Sequence, residues 1–155
     1  MIISHKGYVE NFVDEDVQRQ GAGVDLTVRK VERFLDTGKL DFDNSSRKIA
    51  SGEDISGEQL EGGESYRVTY NEKISVPKNA LGLVFPRSSL LRNGCHLVTA
   101  VWDPGYEGRG QGLVQVLNPK GIVLEANARI GQIVFFRLEE KAIESYDGKY
   151  QGENC

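Results

Sequence analysis

The stretch YRVTY at residues 66–70 alternates apolar and polar side chains. This period of two predicts a β-strand with one buried face and one solvated face. The run IVFF at residues 133–136 is apolar throughout and is typical of a strand buried on both faces. Gly-Gly, Asp-Gly and Asn-Gly pairs separate such runs and favour tight turns. The sequence therefore predicts an all-β sandwich or barrel.

The same patterns predict seven strands and one or two short helices. The predicted strands cover residues 24–28, 66–74, 81–85, 96–100, 112–117, 122–124 and 132–138. Helical periodicity is scarce. Residues 8–17 are one candidate helix, and residues 88–93 are a second, with a Ser as N-cap and Gly94 as the stop. Residues 36–64 are polar and predict a hairpin and loop on the surface.

Composition limits the partners and the location of the protein. The 155 residues suit one domain, and a net charge of −4 with dispersed Lys and Arg argues against an extended nucleic-acid surface. We expect no membrane span, because no apolar run reaches the roughly 18 residues that one needs. The first residues lack the apolar core of a signal peptide, so we expect a cytoplasmic protein. Cys95 and Cys155 make no disulfide framework, and Cys155 is expected to be a free thiol.

The stretch FPRSSLLRNG at residues 85–94 carries a pattern typical of phosphate binding. Ser88 and Ser89 fall at the start of the predicted helix, where free N–H groups favour an anion. Arg87 and Arg92 add guanidinium donors for phosphate oxygens. The alternative is an ordinary capped helix with surface arginines, and the local residues leave both open.

The stretch TAVWDPGYEG at residues 99–108 places Asp103 at the end of an apolar strand. A carboxylate held in this Pro-Gly turn can orient and deprotonate a water molecule. The flat ring of Tyr106 can press against a sugar that lacks a hydroxyl group. The alternative, which the local residues favour, is a β-turn with a packed Tyr.

Two further stretches place polar side chains at strand ends. In QGAGVDL, residues 20–26, Asp25 can help to hold a hydrated Mg²⁺ or can simply cap a turn. In NARIGQI, residues 127–133, Arg129 and Gln132 can donate to phosphate or can form an ordinary strand edge.

The chain ends with YDGKYQG at residues 146–152. Two glycines, a cation and an aromatic ring suit a flexible lid over residues 146–155 that folds over a base and phosphates. Composition alone favours simple disorder.

In this order and spacing, the five stretches resemble the five motifs of the dUTPase family and of its relatives, the dCTP deaminases. The resemblance covers residues 22–152. It implies a distorted jelly-roll-like β-barrel or sandwich and a small-molecule nucleotide substrate. It also implies a homotrimer with active sites at the subunit interfaces, and Mg²⁺ held mainly by the triphosphate.

The resemblance also implies roles for single residues. Asp103 matches the Asp that activates water, Tyr106 matches the Tyr that packs on the deoxyribose, and Asp25 matches an Asp near the water shell of the metal. Backbone groups of the predicted strand at residues 96–100, which includes Thr99 and Ala100, are expected to read the uracil edge. The substrate-binding set that the resemblance implies is Arg87, Ser88, Ser89, Arg92, Thr99, Ala100, Tyr106, Arg129, Gln132, Lys149, Tyr150 and Gln151.

The two branches of the family need different proton chemistry. A deaminase moves protons between water and the cytosine amino group, and in the family a Glu three positions before an Asn does this. In LVQVLN, residues 113–118, the matching residue is Gln115, and an amide cannot accept and return a proton at neutral pH. The preceding stretch, residues 108–112, is two residues longer than the usual pattern, but no Glu lies between Gly108 and Asn118.

These residues predict a dUTP diphosphatase, in which Asp103 activates a water for attack on the α-phosphorus to give dUMP and pyrophosphate. Two alternatives stay open. The first is a dCTP deaminase, alone or bifunctional, which the sequences of the Asp-Pro-Gly turn and of residues 88–92 favour. The second is a nucleotide-binding relative without catalysis.

Overall fold

A computed structural model of the chain describes residues 1–140 and 145–155, and its regular elements are almost all strands. The strands are β1 (Ile2–Ile3), β2 (Val9–Glu10), β3 (Val24–Phe34), β4 (Gly52–Asp54), β5 (Gln59–Leu60), β6 (Ser65–Tyr70), β7 (Lys73–Ser75), β8 (Ala80–Pro86), β9 (Cys95–Val98), β10 (Glu107–Gly108), β11 (Gln111–Val116), β12 (Ile122–Val123) and β13 (Arg129–Arg137). The helices are α1 (Glu15–Gln18) and α2 (Ser88–Arg92). The predicted all-β class with short helices is confirmed.

The strands form one large sheet and two small ones, and all pairings are antiparallel. In the large sheet the hydrogen-bonded order is β1-β13-β3-β6-β11-β9, with β4 beside β3 and β8 beside β13. The small sheets have the orders β10-β7-β2 and β12-β5.

The long strand β3 joins the two halves of the large sheet. Its first part pairs with β13, where Asp25 lies opposite Gln132, and its second part pairs with β6, where Val31 lies opposite Val68. The register shifts between Val28 and Lys30, and such an irregularity bends a strand. One strand with two partners therefore lets the sheet curl around a core, as the jelly-roll-like prediction requires.

The core contains the residues whose pattern predicted the fold. Tyr66, Val68 and Tyr70 of β6 are at most 2% exposed, so the alternating stretch does place its apolar set inside. In the apolar run of β13, Ile133 and Phe135 are fully buried, and Val134 between them is also buried. Burial of consecutive residues confirms that this strand is covered on both faces.

The strand predicted at residues 66–74 is wrong in one respect, because it is two strands, β6 and β7. The break falls at Asn71 and Glu72. The Glu72 carboxylate turns into the core and accepts a hydrogen bond from the Thr27 N–H at 2.9 Å. The Asn71 side chain donates to Thr27 Oγ1, also at 2.9 Å. These side-chain bonds to β3 interrupt the ladder at this point.

The helix predicted at residues 8–17 is wrong as well. Residues 9 and 10 form β2, and Asn11 has a φ of 59°, which ends any regular element there. Helix α1 begins only after Asp14, whose side chain accepts a hydrogen bond from the Val17 N–H at 3.1 Å. These residues therefore form a short strand, a turn and the start of a short helix instead of one continuous helix.

Helix α2 lies where the sequence predicts it, and Gly94 ends it with a φ of 73°. Its N-cap is Arg87, without a side-chain cap, and not a Ser as predicted. In the segment predicted as a surface hairpin and loop, residues 36–64, Lys39 and Lys48 do bridge a hairpin. The second part of the segment differs from the prediction, because it contains β4 and β5 and buries Ile55 and Leu60 in the core. Within residues 1–140 and 145–155, no helix has the length and apolarity that a membrane crossing requires.

Candidate active site

Asp25 and two arginines from distant parts of the chain meet at one end of β8, and we call Asp25, Arg87 and Arg129 the arginine cluster. Asp25 Oδ2 lies 2.9 Å from Arg87 Nε and 3.2 Å from Arg129 Nη1. Asp25 is only 1% exposed, whereas both guanidinium groups reach solvent. One buried carboxylate therefore orients two half-exposed guanidinium groups.

Strand pairing brings these residues together. Gln132 of β13 lies opposite Asp25 of β3, and Gly131 lies opposite Pro86 of β8. The Arg87 N–H donates to the carbonyl oxygen of Ile130 at 2.9 Å, which keeps the start of α2 beside β13. Residues from three of the predicted motifs thus share one edge of the sheet.

The hydroxyl-bearing residues of the second motif lie beside this edge. Ser88 and Ser89 are exposed at the start of α2, directly after Arg87. Arg92 is exposed at the end of α2 and lies outside the arginine cluster. The structure therefore groups Arg87, Ser88 and Ser89 with the cluster.

The charges of the cluster favour an anionic ligand. Burial raises the pKa of Asp25, and the neighbouring charges of Arg87 and Arg129 oppose that rise. Two guanidinium groups face a single carboxylate, so the group as a whole is cationic. Oriented cations at an exposed edge are suited to phosphate oxygens.

A buried hydrogen-bond network holds β3 beneath the cluster. Glu72 accepts hydrogen bonds from Gln18 Nε2 at 2.7 Å and from the Thr27 N–H at 2.9 Å. Gln18 Nε2 also donates to the carbonyl oxygen of Asp25 at 2.8 Å. All three side chains of the network are buried, and burial raises the pKa of Glu72. The backbone at Asp25 is therefore fixed from inside the core.

The contacts of Asp25 bear on its predicted magnesium role. Asp25 Oδ2 already forms ion pairs with both arginines, and it accepts hydrogen bonds from Arg129 Nη1 and from Gln20 Nε2, which lies at 3.3 Å. Within the part of the chain that the structure describes, no group of three or more His, Cys, Asp and Glu side chains could hold a metal ion. These donors do not fit a resident ion. Mg²⁺ delivered with a triphosphate, and the outer-shell role of Asp25, stay predictions.

A second group of functional residues surrounds a half-open cavity, which we call the tyrosine cavity. Its lining residues include the predicted Ala100, Asp103, Tyr106 and Tyr150, together with Val101, Trp102, Gly110, Gln111, Tyr146 and Glu153. Asp103 is exposed, and its carbonyl oxygen accepts the N–H of Tyr106 at 3.1 Å across the turn. The N–H of Tyr146 donates to Pro104 O at 2.8 Å. The turn therefore holds Asp103 rigidly at the edge of the cavity.

Aromatic rings fix Tyr106 in the wall of this cavity. Its ring meets Trp102 edge-on with centroids 5.4 Å apart, and it meets Tyr146 edge-on at 5.7 Å. The Tyr106 hydroxyl donates to Glu153 Oε1 at 2.9 Å. Burial raises the pKa of both Tyr106 and Glu153.

The C-terminal tail packs against the turn of its own chain. The N–H of Gly152 donates to Glu107 O at 2.7 Å, and the N–H of Arg109 donates to Glu153 O at 3.0 Å. The predicted Gln151 bonds to the same turn, and the predicted Tyr150 lines the cavity with the Arg47 guanidinium 5.7 Å from its ring centroid. Lys149 is exposed and lies outside both groups. Opening of this tail as a lid stays a prediction.

The arginine cluster and the tyrosine cavity lie toward opposite ends of β8. Trp102 pairs with Gly82 at the cavity, and Arg87 follows the other end of the strand five residues later. Five residues of extended chain span roughly 16 Å. The residues that line the cavity include no member of the cluster. Within one chain the two groups are therefore separate.

Strand β11 presents amides where a deaminase needs an acid. Gln115 lies opposite His96 of β9, four residues from the cavity, and the residue that reaches the cavity is Gln111. Gln111 Nε2 donates to Thr69 Oγ1 at 2.9 Å. The cavity is therefore lined by an amide, and the match of Gln115 to the Glu of a deaminase stays a prediction. Thr99, predicted to read the base, uses its hydroxyl to bond to Val84 O at 3.3 Å.

Several residues of the two groups were not predicted from the sequence. Gln18 and Glu72 carry no motif, since single polar residues near apolar runs are common in surface turns. Trp102 precedes the predicted Asp103 and is the only Trp of the chain, which is a usable signal for an aromatic site wall. Glu153 lies in a polar tail, and nothing in the sequence distinguishes it from its neighbours.

Comparison with known proteins places the chain among nucleotide enzymes. A family model described as dCTP deaminase-like matches residues 1–138. A probable deoxyuridine 5'-triphosphate nucleotidohydrolase of Methanococcoides burtonii is 38% identical over 159 residues, which cover 99% of this chain and 93% of the relative. The deoxyuridine 5'-triphosphate nucleotidohydrolase of Methanocaldococcus jannaschii is 39% identical over 154 residues, with 95% and 94% covered.

A solved structure shares the fold. The crystal structure of 2'-deoxycytidine 5'-triphosphate deaminase from Agrobacterium tumefaciens superposes with a TM-score of 0.62 at 26% identity. The match covers 83% of this chain and 42% of that longer chain. The names of the sequence relatives and of this structural relative therefore point to different reactions.

Proposed function

The chain belongs to the dCTP deaminase-like family, and on that premise we propose that it is a dUTP diphosphatase, which hydrolyses dUTP to dUMP and pyrophosphate. Relatives that match nearly the whole chain bear this activity in their names. The observation that carries the proposal is the position of Asp103, an exposed carboxylate in a rigid turn at the edge of the tyrosine cavity.

Asp103 acts as the general base. It accepts a proton from a water molecule, whose oxygen forms a bond to the α-phosphorus as the bond from that phosphorus to the bridging oxygen breaks. Pyrophosphate leaves with the electron pair of the broken bond. A base must keep a fixed direction toward the attacking water, and the hydrogen-bonded turn around Pro104 supports that requirement.

The arginine cluster binds the phosphates. Arg87 and Arg129 offer guanidinium donors, and Ser88 and Ser89 add hydroxyls at the start of α2. Mg²⁺ bound to the triphosphate of dUTP would arrive with the substrate and would supply charge neutralisation for the pyrophosphate group. The buried Asp25 keeps the two guanidinium groups turned toward the substrate.

The active site is shared between subunits of a homotrimer. One subunit contributes an arginine cluster, and its neighbour contributes a tyrosine cavity. The two groups, which are separate within one chain, therefore meet at the interface between two subunits. Large apolar side chains of β8, of β9 and of the segment that follows β9 support such a contact, since Phe85, Val98 and Val101 are each at least 40% exposed. Exposed apolar residues of this kind mark protein interfaces.

Deamination is disfavoured because neither Gln111 nor Gln115 can carry a proton between water and a cytosine amino group. The other acid of the cavity, Glu153, comes from the tail and is engaged by the Tyr106 hydroxyl. Hydrolysis needs only one base, which Asp103 supplies.

A substrate panel tests this proposal. Purified protein is incubated with Mg²⁺ and dUTP, dCTP, dTTP or UTP, and both pyrophosphate and ammonia are measured. We expect pyrophosphate from dUTP, much less from UTP, and no ammonia from dCTP. Absence of pyrophosphate from dUTP in a folded, assembled sample overturns the proposal, and ammonia from dCTP establishes the deaminase alternative.

A further inference from the structure

We propose that Glu153 is a positioning residue that sets the preference for a deoxyribose over a ribose by fixing the ring of Tyr106. This inference rests on the proposed function, since it assumes that Tyr106 lies against the sugar of the bound nucleotide.

The first support is the contact itself. The Tyr106 hydroxyl donates to Glu153 Oε1 at 2.9 Å, and Tyr106 is only 6% exposed. Hydrogen bonds to a charged acceptor are stronger than neutral ones. With Trp102 and Tyr146 packed against it in T-shaped contacts, the ring is held at three places, and of these three residues Glu153 holds its polar end.

The second support is the way in which Glu153 is anchored. Its own carbonyl oxygen accepts the N–H of Arg109, and the N–H of Gly152 before it donates to Glu107 O. The Asn154 side chain then donates to Arg109 O at 2.8 Å. Three hydrogen bonds within three consecutive tail residues fix the carboxylate against the turn, which a freely moving tail would not do.

The third support is a glycine that makes room for the contact. A Cβ at Gly108 would lie 2.8 Å from the Tyr106 hydroxyl oxygen and 3.1 Å from the Glu153 backbone nitrogen. A side chain of any other type there would push apart the two groups that the hydrogen bond joins. The turn at Gly108, the Tyr106 ring and the C-terminal tail at Glu153 therefore pack closely against one another.

The rigid position of the Tyr106 ring accounts for discrimination between dUTP and UTP. A ring that cannot move leaves no space for the 2'-hydroxyl of UTP, whereas a ring without its polar anchor can tilt away and accept it. Loss of Glu153 should then act on the ratio of kcat/KM for dUTP and for UTP, rather than on both substrates alike.

The test uses the full-length variants Glu153→Ala, Glu153→Gln and Tyr106→Phe and the double variant Glu153→Ala/Tyr106→Phe. Glu58→Ala, an exposed Glu of a distant turn, is the matched control. We expect Glu153→Ala to lower the dUTP/UTP ratio of kcat/KM roughly tenfold, the loss expected for a hydrogen bond to a charged group. Tyr106→Phe should lower it equally, and the double variant should add nothing further. Glu153→Gln, whose amide oxygen still accepts, should keep most of the ratio.

A second readout separates this inference from the proposed function. Trp102 lines the cavity, so its fluorescence reports the binding of dUMP and of UMP without turnover. If the wild type prefers dUMP and Glu153→Ala does not, the inference holds even when no pyrophosphate is released from dUTP. If Glu153→Ala keeps the wild-type preference in both readouts, or lowers the values for both sugars equally, the inference is wrong. A wild type that binds both sugars equally also overturns it.

Discussion

The arginine cluster and the tyrosine cavity are constructed in different ways. The cluster depends on charge: one buried carboxylate holds two cations, and its residues come from three segments that strand pairing brings together. The cavity depends on shape: aromatic rings pack edge to face on one tight turn, and the tail of the same chain packs against that turn. The difference indicates that the cluster supplies affinity for the phosphates, whereas the cavity supplies selectivity and the reacting base.

The comparison predicts that the largest loss follows from a change at the cavity edge. Asp103→Asn keeps the shape of the turn but removes the base, so we expect kcat for pyrophosphate release from dUTP to fall about 10²- to 10⁴-fold. Binding of dUMP, followed by Trp102 fluorescence, should change little. Unchanged activity of this variant would mean that another group activates the water.

Substitution within the arginine cluster should affect binding more than turnover. Arg87 reaches Asp25 through Nε and the Arg129 carbonyl oxygen through Nη1, a geometry that a single ammonium group cannot reproduce. We expect Arg87→Lys to raise KM for dUTP about tenfold, the loss of one charge-assisted contact. Arg137→Lys, on the exposed end of β13, is the matched control and should leave KM unchanged. Equal effects of the two substitutions would argue against a phosphate site at the cluster.

A methyl group at Gly108 tests the fit between turn and tail. Gly108→Ala should displace either the Tyr106 hydroxyl or the tail, and we expect the dUTP/UTP ratio of kcat/KM to fall about fivefold. The steady-state ratio is the measurement, and thermal unfolding checks that the fold persists. A ratio equal to that of the wild type would show that the close packing has no part in selectivity.

The smallest effect on activity is expected beneath the cluster, where Glu72 stabilises β3. Its folded-state pKa lies above the usual value near 4.5, so the folded chain binds more protons than the unfolded chain between that value and the folded pKa. The free energy of unfolding of the wild type should therefore fall as pH rises through this window. The Glu72→Gln variant should lack this fall in stability with pH. At the acid end of the range it should be less stable than the wild type by about 1–3 kcal/mol, because its amide leaves the Thr27 N–H without an acceptor. Urea unfolding from pH 4 to 8 measures both, and parallel curves would contradict the assignment.

The same comparison explains how much the sequence could predict. Residues of the arginine cluster could be predicted because Asp25, Arg87, Ser88 and Ser89 lie in local patterns with recognisable chemistry. Alternation in β6 likewise predicted which residues face the core. The ion pairs between Asp25 and the two arginines could not be predicted, since they depend on strand register across the sheet. The mistaken helix at residues 8–17 arose because Asn11 adopts a left-handed conformation that apolar periodicity does not reveal.

The tyrosine cavity was predicted less completely. Asp103 and Tyr106 lie in a distinctive turn, but Glu153 meets Tyr106 only through tertiary folding of the tail. The sequence also did not reveal that Gln111, four residues before Gln115 on β11, lines the cavity. The chemical argument is unaffected, since both residues are amides.

Co-assembly of two impaired variants tests the central claim, that an arginine cluster and a tyrosine cavity from different subunits form one dUTP-hydrolysing site. Arg87→Ala and Asp103→Asn are co-expressed in equal amounts, and pyrophosphate release from dUTP, at a concentration well below the wild-type KM, is compared with that of each variant alone. In a cyclic trimer about a quarter of the interfaces then join an intact cluster to an intact cavity. We predict that about a quarter of the wild-type activity returns. Activity no higher than the mean of the two separate variants would contradict a shared site.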